Sequence, residues 1–263
     1  MTETPAEAAS SGDNTRSWLE RLCRRADDVL WDSYRFALAS ADAPWPRVMF
    51  PAKGHERRIG EQEARSAFVA ALLGDADAEQ WAFAAEVPTR LSYRFAQRGS
   101  GVKAQRSLTD LALYRHPDDV PALAVEFKSG GRSGKTEIDE SMRKDVAAIL
   151  AEQPDALWFQ VVRDANDATL GGLLRTLDAA ISRLSNPFKL RDYLAPGKIV
   201  EPRAKTIAFH VCILNPDVTV SLHRALKYVP GKPERDFFTI ATTTTRTSLD
   251  IADGQGWSVY RRD

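Results

Sequence analysis

The sequence predicts one mixed α/β domain with a helical N-terminal extension and a β-rich C-terminal one. Three observations lead there. Apolar residues recur at helical spacing near the start, strand-like alternation dominates the middle, and the last sixty residues again read mainly as strand. The 263 residues suffice for one large domain or two small ones, and 43% apolar content suits a chain that buries a core.

Residues 1–15 are rich in Ala, Ser, Thr, Glu and Gly and are expected to form a disordered tail. Residues 16–50 form the helical extension. Leu19, Leu22, Cys23, Ala26, Leu30, Tyr34, Ala37 and Leu38 fall on one stripe of a helix spanning about 17–41. Pro44, Pro46 and Pro51 break the chain after it.

The core is expected over residues 51–190. A second helix is read over about 55–73, with Gly74 as its stop. Strands follow at 81–89, 91–96, 107–115 and 122–128, with Gly-Ser-Gly near 100 and His-Pro-Asp-Asp at 116–119 as turns. The glycine-rich loop SGGRSGKT leads into a helix over about 137–151, then a strand at 156–162 and a helix at 170–184. Residues 191–263 are the β-rich extension, with strands at 206–214, 237–245 and 257–260 and a short helix near 221–228.

Charge is balanced, with 36 basic and 36 acidic residues, which counts mildly against tight non-specific binding of nucleic acid. No apolar run reaches the roughly 20 residues that span a bilayer. The N-terminus lacks the basic start and apolar stretch of a signal peptide, so a cytoplasmic protein is expected. Cys23 and Cys212 build neither a disulfide framework nor a cysteine zinc site, and read as buried free thiols. His55, His116, His210 and His223 show no metal-ligand spacing.

The chemical signal lies in two neighbouring segments, SLTDLALYR and ALAVEFKSG. Alternation puts Leu123, Val125 and Phe127 on one face of the second strand, and Ala124, Glu126 and Lys128 on the other. A carboxylate and an ammonium in line on a buried strand cost several kcal/mol unless paired or bound to something. A hairpin brings Asp110 level with Glu126, placing two carboxylates about 4–5 Å apart. Close carboxylates repel unless a cation sits between them, and Mg²⁺ or Mn²⁺ suits oxygen ligands. A lysine two residues beyond the glutamate is placed to steady a phosphodiester under attack. An internal ion-pair cluster is the plain alternative.

These residues, D-x15-E-F-K after a helix that carries glutamates, resemble the PD-(D/E)xK nuclease superfamily over about residues 56–162. The resemblance implies a restriction-endonuclease-like core of helix, mixed central sheet, helix, strand and helix. It implies a Mg²⁺- or Mn²⁺-dependent endonuclease acting on DNA rather than RNA, in restriction, defence or repair. Asp110 and Glu126 would hold the metal and Lys128 would assist. Asp110 follows Ser107-Leu108-Thr109 and not a proline, a departure at a position that varies in the family. The opening helix GEQEARSAFVAALL also fits, and places Glu61 on one stripe with Arg65, Phe68 and Leu72 as a further catalytic and metal-binding acid. Glu63 and Glu86 are reserves, and all three acids read equally well as solvated or salt-bridged residues. A homodimer is expected by the same resemblance, with room for a partner protein from the same system.

For the nucleic acid, Arg94, Arg98, Lys103 and Arg106 cluster before Asp110 together with Arg90, and Tyr93 and Phe95 are interleaved for base stacking. Solvent-facing strand residues would look the same. Arg132 and Lys135 in the glycine loop would touch the backbone or belong to an ordinary exposed loop, and Lys144-Asp145 on the next helix would face the site, with Lys144 in reserve, or form a surface charge pair. Two other readings compete. One is a catalytically silent nuclease-fold module that binds nucleic acid or serves as a scaffold. The other is a P-loop NTPase built on residues 129–136, with Asp164 as a second metal-binding acid, but Ser129 stands where that loop needs its first glycine.

Overall fold

The structure is a computed structural model, and it describes residues 5–53, 56–57, 59–97, 101–130, 145–146, 148–149, 151–152, 154–166, 168–174, 205–216, 219–228 and 257–262. A helix, α1 (Pro5–Ala37), begins the chain. It starts inside the stretch that composition assigned to a tail; proline at a first helical turn loses no hydrogen bond, and the Glu-Ala-Ala after it favours helix. Two short strands, β1 (Ala52–Lys53) and β2 (Glu56–Arg57), pair antiparallel before α2 (Glu61–Leu73).

The second helix therefore opens at Glu61 and not at His55. Its first turn is closed by the Glu63 carboxylate, which accepts the Gly60 N–H at 2.7 Å. Gly74 closes the other end, donating its N–H to the Ala70 carbonyl at 3.2 Å.

Seven strands form one mixed sheet in sequence order: β3 (Trp81–Gln97), β4 (Gly101–Arg115), β5 (Pro121–Ser129), β6 (Asp155–Arg163), β7 (Lys205–Leu214), β8 (Thr219–Tyr228) and β9 (Ser258–Arg262). β3, β4 and β5 are an antiparallel meander, and β6 and β7 run parallel to β5. β8 and β9 return antiparallel. The two expected strands at 81–89 and 91–96 are one long strand with a register shift between Pro88 and Ser92. Proline cannot donate to the ladder, which explains an irregularity at that point. The helix expected near 221–228 is strand β8, because the ten-residue ladder to β7 outweighs the weak local helical spacing of Leu222, Ala225 and Leu226.

The main core lies between α1, α2 and one face of the sheet. Leu111, Leu113, Val125, Phe127, Leu157 and Phe159 from the strands meet Leu22, Leu30 and Phe68 from the helices. Phe68, Phe127 and Phe159 pack mutually with ring centroids 5.7–5.9 Å apart. The middles of β5 and β6 are buried on both faces, as befits strands at the centre of the sheet. The opposite face meets helical residues at 145–146, 148–149 and 151, where Tyr93 packs on Ala148 and Ala151.

The strands at 205–214, 219–228 and 258–262 thus continue the central sheet. Helical backbone at 168–174 agrees with the expected helix there, whose remainder lies outside the described residues, as does the strand expected at 237–245. Among the described residues, no helix is long and apolar enough to cross a membrane.

Candidate active site

The meander decides where the acids go. β4 and β5 pair as Leu111 with Val125, Ala112 with Ala124 and Leu113 with Leu123. One step further along this register, Asp110 faces Glu126. The backbone ladder is not continued there; the Asp110 carboxylate replaces it, accepting the Phe127 N–H at 2.7 Å. Asp110 follows the same alternation as Ala112, so it shares a sheet face with Glu126 and Lys128.

Glu126 is buried, with 6% of its surface exposed. Burial pushes its carboxyl well above the ordinary carboxylate range, and the neighbouring Asp110 pushes it further against the pull of Lys128. Lys128 ends the same strand. Its Nζ lies 3.1 Å from Asp145 Oδ2 and 3.8 Å from Glu126 Oε2, over the Trp158 ring at 5.7 Å. Burial would lower the Lys128 ammonium, but the carboxylates of Asp145, Glu126, Glu61 and Asp110 outweigh it and hold the group above its ordinary value.

Glu61, at the first turn of α2, is exposed at its surface. Its carboxyl is nevertheless raised by partial desolvation, with Lys128 opposing and Asp110 and Asp145 adding to the rise. Four carboxylates and one ammonium therefore share a single electrostatic field. That set carries excess negative charge beside a protein interior, and a hard divalent cation on oxygen ligands fits it.

Asp145 is the acid that the sequence reading touched only as half of a charge pair. Its neighbour Lys144 lies outside the described residues, while Asp145 is buried against Lys128. Arg65 was also missed as a partner. Its Nη1 donates to the Asp110 backbone carbonyl at 3.3 Å and lies 3.6 Å from Glu86 Oε1, so α2 grips β4 at the acid itself. Helical spacing had placed Arg65 on the stripe of Glu61, but no sequence signal reveals a contact to a backbone carbonyl.

The reserve acids have other work. Glu63 caps α2, as described above. Glu86 sits at φ 54°, left-handed backbone beside the point where β4 and β5 part, and pairs with Arg65. Glu126 and Lys128 are followed by Gly130 at φ 88°, a conformation that favours glycine, where the chain leaves β5. Gln160, beside Lys128 in the parallel register, donates to the Gly130 carbonyl at 3.1 Å and fixes this exit.

The expected basic stripe is altered. Arg90 binds Glu152, donating its Nε to Oε2 at 3.3 Å, and Tyr93 is fully buried with its hydroxyl donating to Glu152 Oε1 at 2.9 Å. Tyr93 is therefore unavailable to stack on a base: the acid below it claims its hydroxyl. Arg106 is exposed on β4. Arg94 and Lys103 lie on β3 and β4, but their side chains are outside the described residues, as are Arg98, Arg132 and Lys135. The glycine loop of the nucleotide-binding alternative falls beyond Gly130 in the same undescribed stretch. Asp164, its second acid, accepts the Tyr34 hydroxyl at 2.8 Å.

On the other face of the sheet, two histidines that sequence spacing gave no reason to join come together. His210 and His223 are opposite each other on β7 and β8, with Nδ1 atoms 3.3 Å apart, and His210 Nε2 is 2.9 Å from Asp27 on α1. Cys23 and Cys212 are buried free thiols in the same region, as expected. Their separation along the chain hides this cluster from any spacing rule. Compared with known family models and with curated proteins, the chain matches none.

Proposed function

We propose that this chain is a metal-dependent endonuclease of the PD-(D/E)xK type that hydrolyses phosphodiester bonds of DNA. The observation that carries this reading is the gathering of Asp110, Glu126 and Lys128 from adjacent strands, with the Asp110 carboxylate bound to the N–H between the other two. The order of elements supports it: a helix, an antiparallel three-strand meander, a helical segment and a fourth strand parallel to the third. This order is compatible with the family resemblance and counts in favour of the reading.

In this reading Asp110, Glu126 and Glu61 hold Mg²⁺ or Mn²⁺, which supplies the positive charge that a phosphodiester under attack requires. Asp145 keeps Lys128 protonated and aimed, and the Lys128 ammonium stabilises charge developing on the phosphate. Arg65 holds the Asp110 backbone in place, and Gln160 holds the chain as it leaves Lys128. Arg106 remains the described candidate for a backbone phosphate contact. A dimer acting on two strands, a cytoplasmic setting and a partner protein from the same system belong to the same proposal.

The test is incubation of the purified chain with plasmid, single-stranded DNA and RNA, with Mg²⁺, with Mn²⁺ and with EDTA. DNA cleavage that needs the ion and disappears in Glu126→Ala and Lys128→Ala supports the reading. A folded wild-type chain that cuts none of these substrates with either ion overturns it.

A further inference from the structure

Both cysteines and two of the four histidines of this chain converge, with Asp27, in the core between α1 and the β7–β8 pair. Such polar residues are costly in an interior otherwise made of Leu, Phe and Trp. Cys23 Sγ and a ring nitrogen each of His210 and His223 lie within 4.8 Å of one another, all three residues buried. This cluster is on the sheet face opposite Glu126, and shares no residue with the acidic site.

The partner of His210 places one of its protons. His210 Nε2 lies 2.9 Å from both oxygens of Asp27, so that nitrogen carries a proton, and in the neutral ring Nδ1 presents a lone pair. That lone pair points at His223 Nδ1, 3.3 Å away. Either one proton between the rings or a cation that takes both nitrogens as ligands joins this pair. Tetrahedral zinc with Zn–N bonds of about 2.0–2.1 Å has N···N edges of about 3.3 Å, which matches. An imidazole that ligates through one nitrogen and gives the other to a carboxylate is the usual support of such a ligand.

We infer that Cys23, His210 and His223 form a buried binding site for a thiophilic divalent cation, Zn²⁺ by its donor set, with Asp27 orienting His210. Burial and the Asp27 carboxylate hold the Cys23 thiol well above its ordinary pKa in the metal-free chain. Binding therefore releases the thiol proton to solvent and leaves Zn²⁺ on a thiolate and two neutral imidazoles. Together with the Asp27 carboxylate the formal charge is then zero, which removes the cost of burying Asp27. The ion would tie α1 to β7 and β8, a structural clasp rather than a second reaction centre.

The experiment measures metal content and cobalt spectra on the full chain. Protein purified from zinc-supplemented medium and dialysed should retain about one Zn²⁺ per chain. Cys23→Ala and His223→Asn should retain almost none, and Asp27→Asn should bind zinc roughly 10–100-fold more weakly. Co²⁺ added to metal-stripped wild type should give a thiolate-to-cobalt charge-transfer band that Cys23→Ala lacks. Because those variants change buried core side chains, the wild type provides the deciding measurement. If folded, metal-stripped wild type takes up neither Zn²⁺ nor Co²⁺, a shared proton is what joins the two rings and the site does not exist. Zinc content that falls with Glu126→Gln would also overturn it, by placing the ion at the acidic site.

Discussion

The Asp110 carboxylate accepts the Phe127 N–H at 2.7 Å, where a β4 carbonyl would otherwise be expected. The acid thus both ends the ladder and sets the height of Glu126 and Lys128 on the neighbouring strand. A hydrogen bond to a charged acceptor contributes about 1.5–3 kcal/mol, enough to hold this register locally.

That double role separates two substitutions. Asp110→Asn keeps an acceptor for Phe127 and should leave Tm near wild type, while ion-dependent cleavage falls at least about 100-fold. Asp110→Ala should lose cleavage and also about 1–3 kcal/mol of stability, because the N–H is left without its partner. Thermal melts and cleavage rates on both variants check this; equal stability would show that the hydrogen bond is not what fixes the strand.

Lys128 and Asp145 should differ in kind. Lys128→Ala removes the ammonium and should lower cleavage by about 100–1,000-fold at saturating substrate. Asp145→Asn leaves the ammonium present but less firmly aimed, so a smaller loss is expected, partly restored by Asp145→Glu. Single-turnover rates decide between them, and an Asp145→Asn effect as large as that of Lys128→Ala would give Asp145 a direct role.

Glu126 gives the pH dependence its sign. Its carboxyl is raised in the folded chain, so the fold favours the protonated form. This contribution to stability is full below the unfolded value, about 4.3, and is lost as pH rises through the folded value. The metal-free chain should therefore gain stability on Glu126→Gln at neutral pH, by about 0.5–2 kcal/mol. Cleavage should run the other way, rising with pH as Glu126 ionises, with the acid limb moving to lower pH as Mg²⁺ increases. A limb that ignores Mg²⁺ would mean that proton and ion do not compete for this carboxylate.

Divalent ions should stabilise the chain through the same acids. At 100 times its dissociation constant a ligand adds about 2.7 kcal/mol. Mn²⁺ or Mg²⁺ at that excess should raise the wild-type Tm clearly and leave that of Glu126→Gln nearly unchanged. Equal shifts in both proteins would place the ion elsewhere.

The core admits a control unrelated to chemistry. Phe159 packs against Phe68, Phe127 and the His210 ring, which lies 4.9 Å away. Phe159→Ala should cost about 3–5 kcal/mol. Denaturant unfolding measures this, and a loss below 1 kcal/mol would show that the three-ring contact is not central to the core.

Local pattern in the sequence sufficed for β5. The alternation of Leu123 to Lys128 separates core face from site face, and the turn at 116–119 turns β4 back so that Asp110 meets Glu126. Those features depend on neighbours along the chain or across one short hairpin. The strand at 219–228 did not follow from its own residues, because its state comes from pairing with β7. Asp145 on Lys128, Arg65 on the Asp110 carbonyl, Tyr93 on Glu152 and the Asp27–His210–His223–Cys23 cluster likewise required tertiary structure. Each joins residues far apart in sequence, and the force that holds it is a buried charge or hydrogen bond whose partner no local period encodes. Chain order carried the sheet's hairpin and its chemistry, while packing chose which of several acids and bases came to share it, since only burial makes an unpaired charge costly enough to select its neighbour.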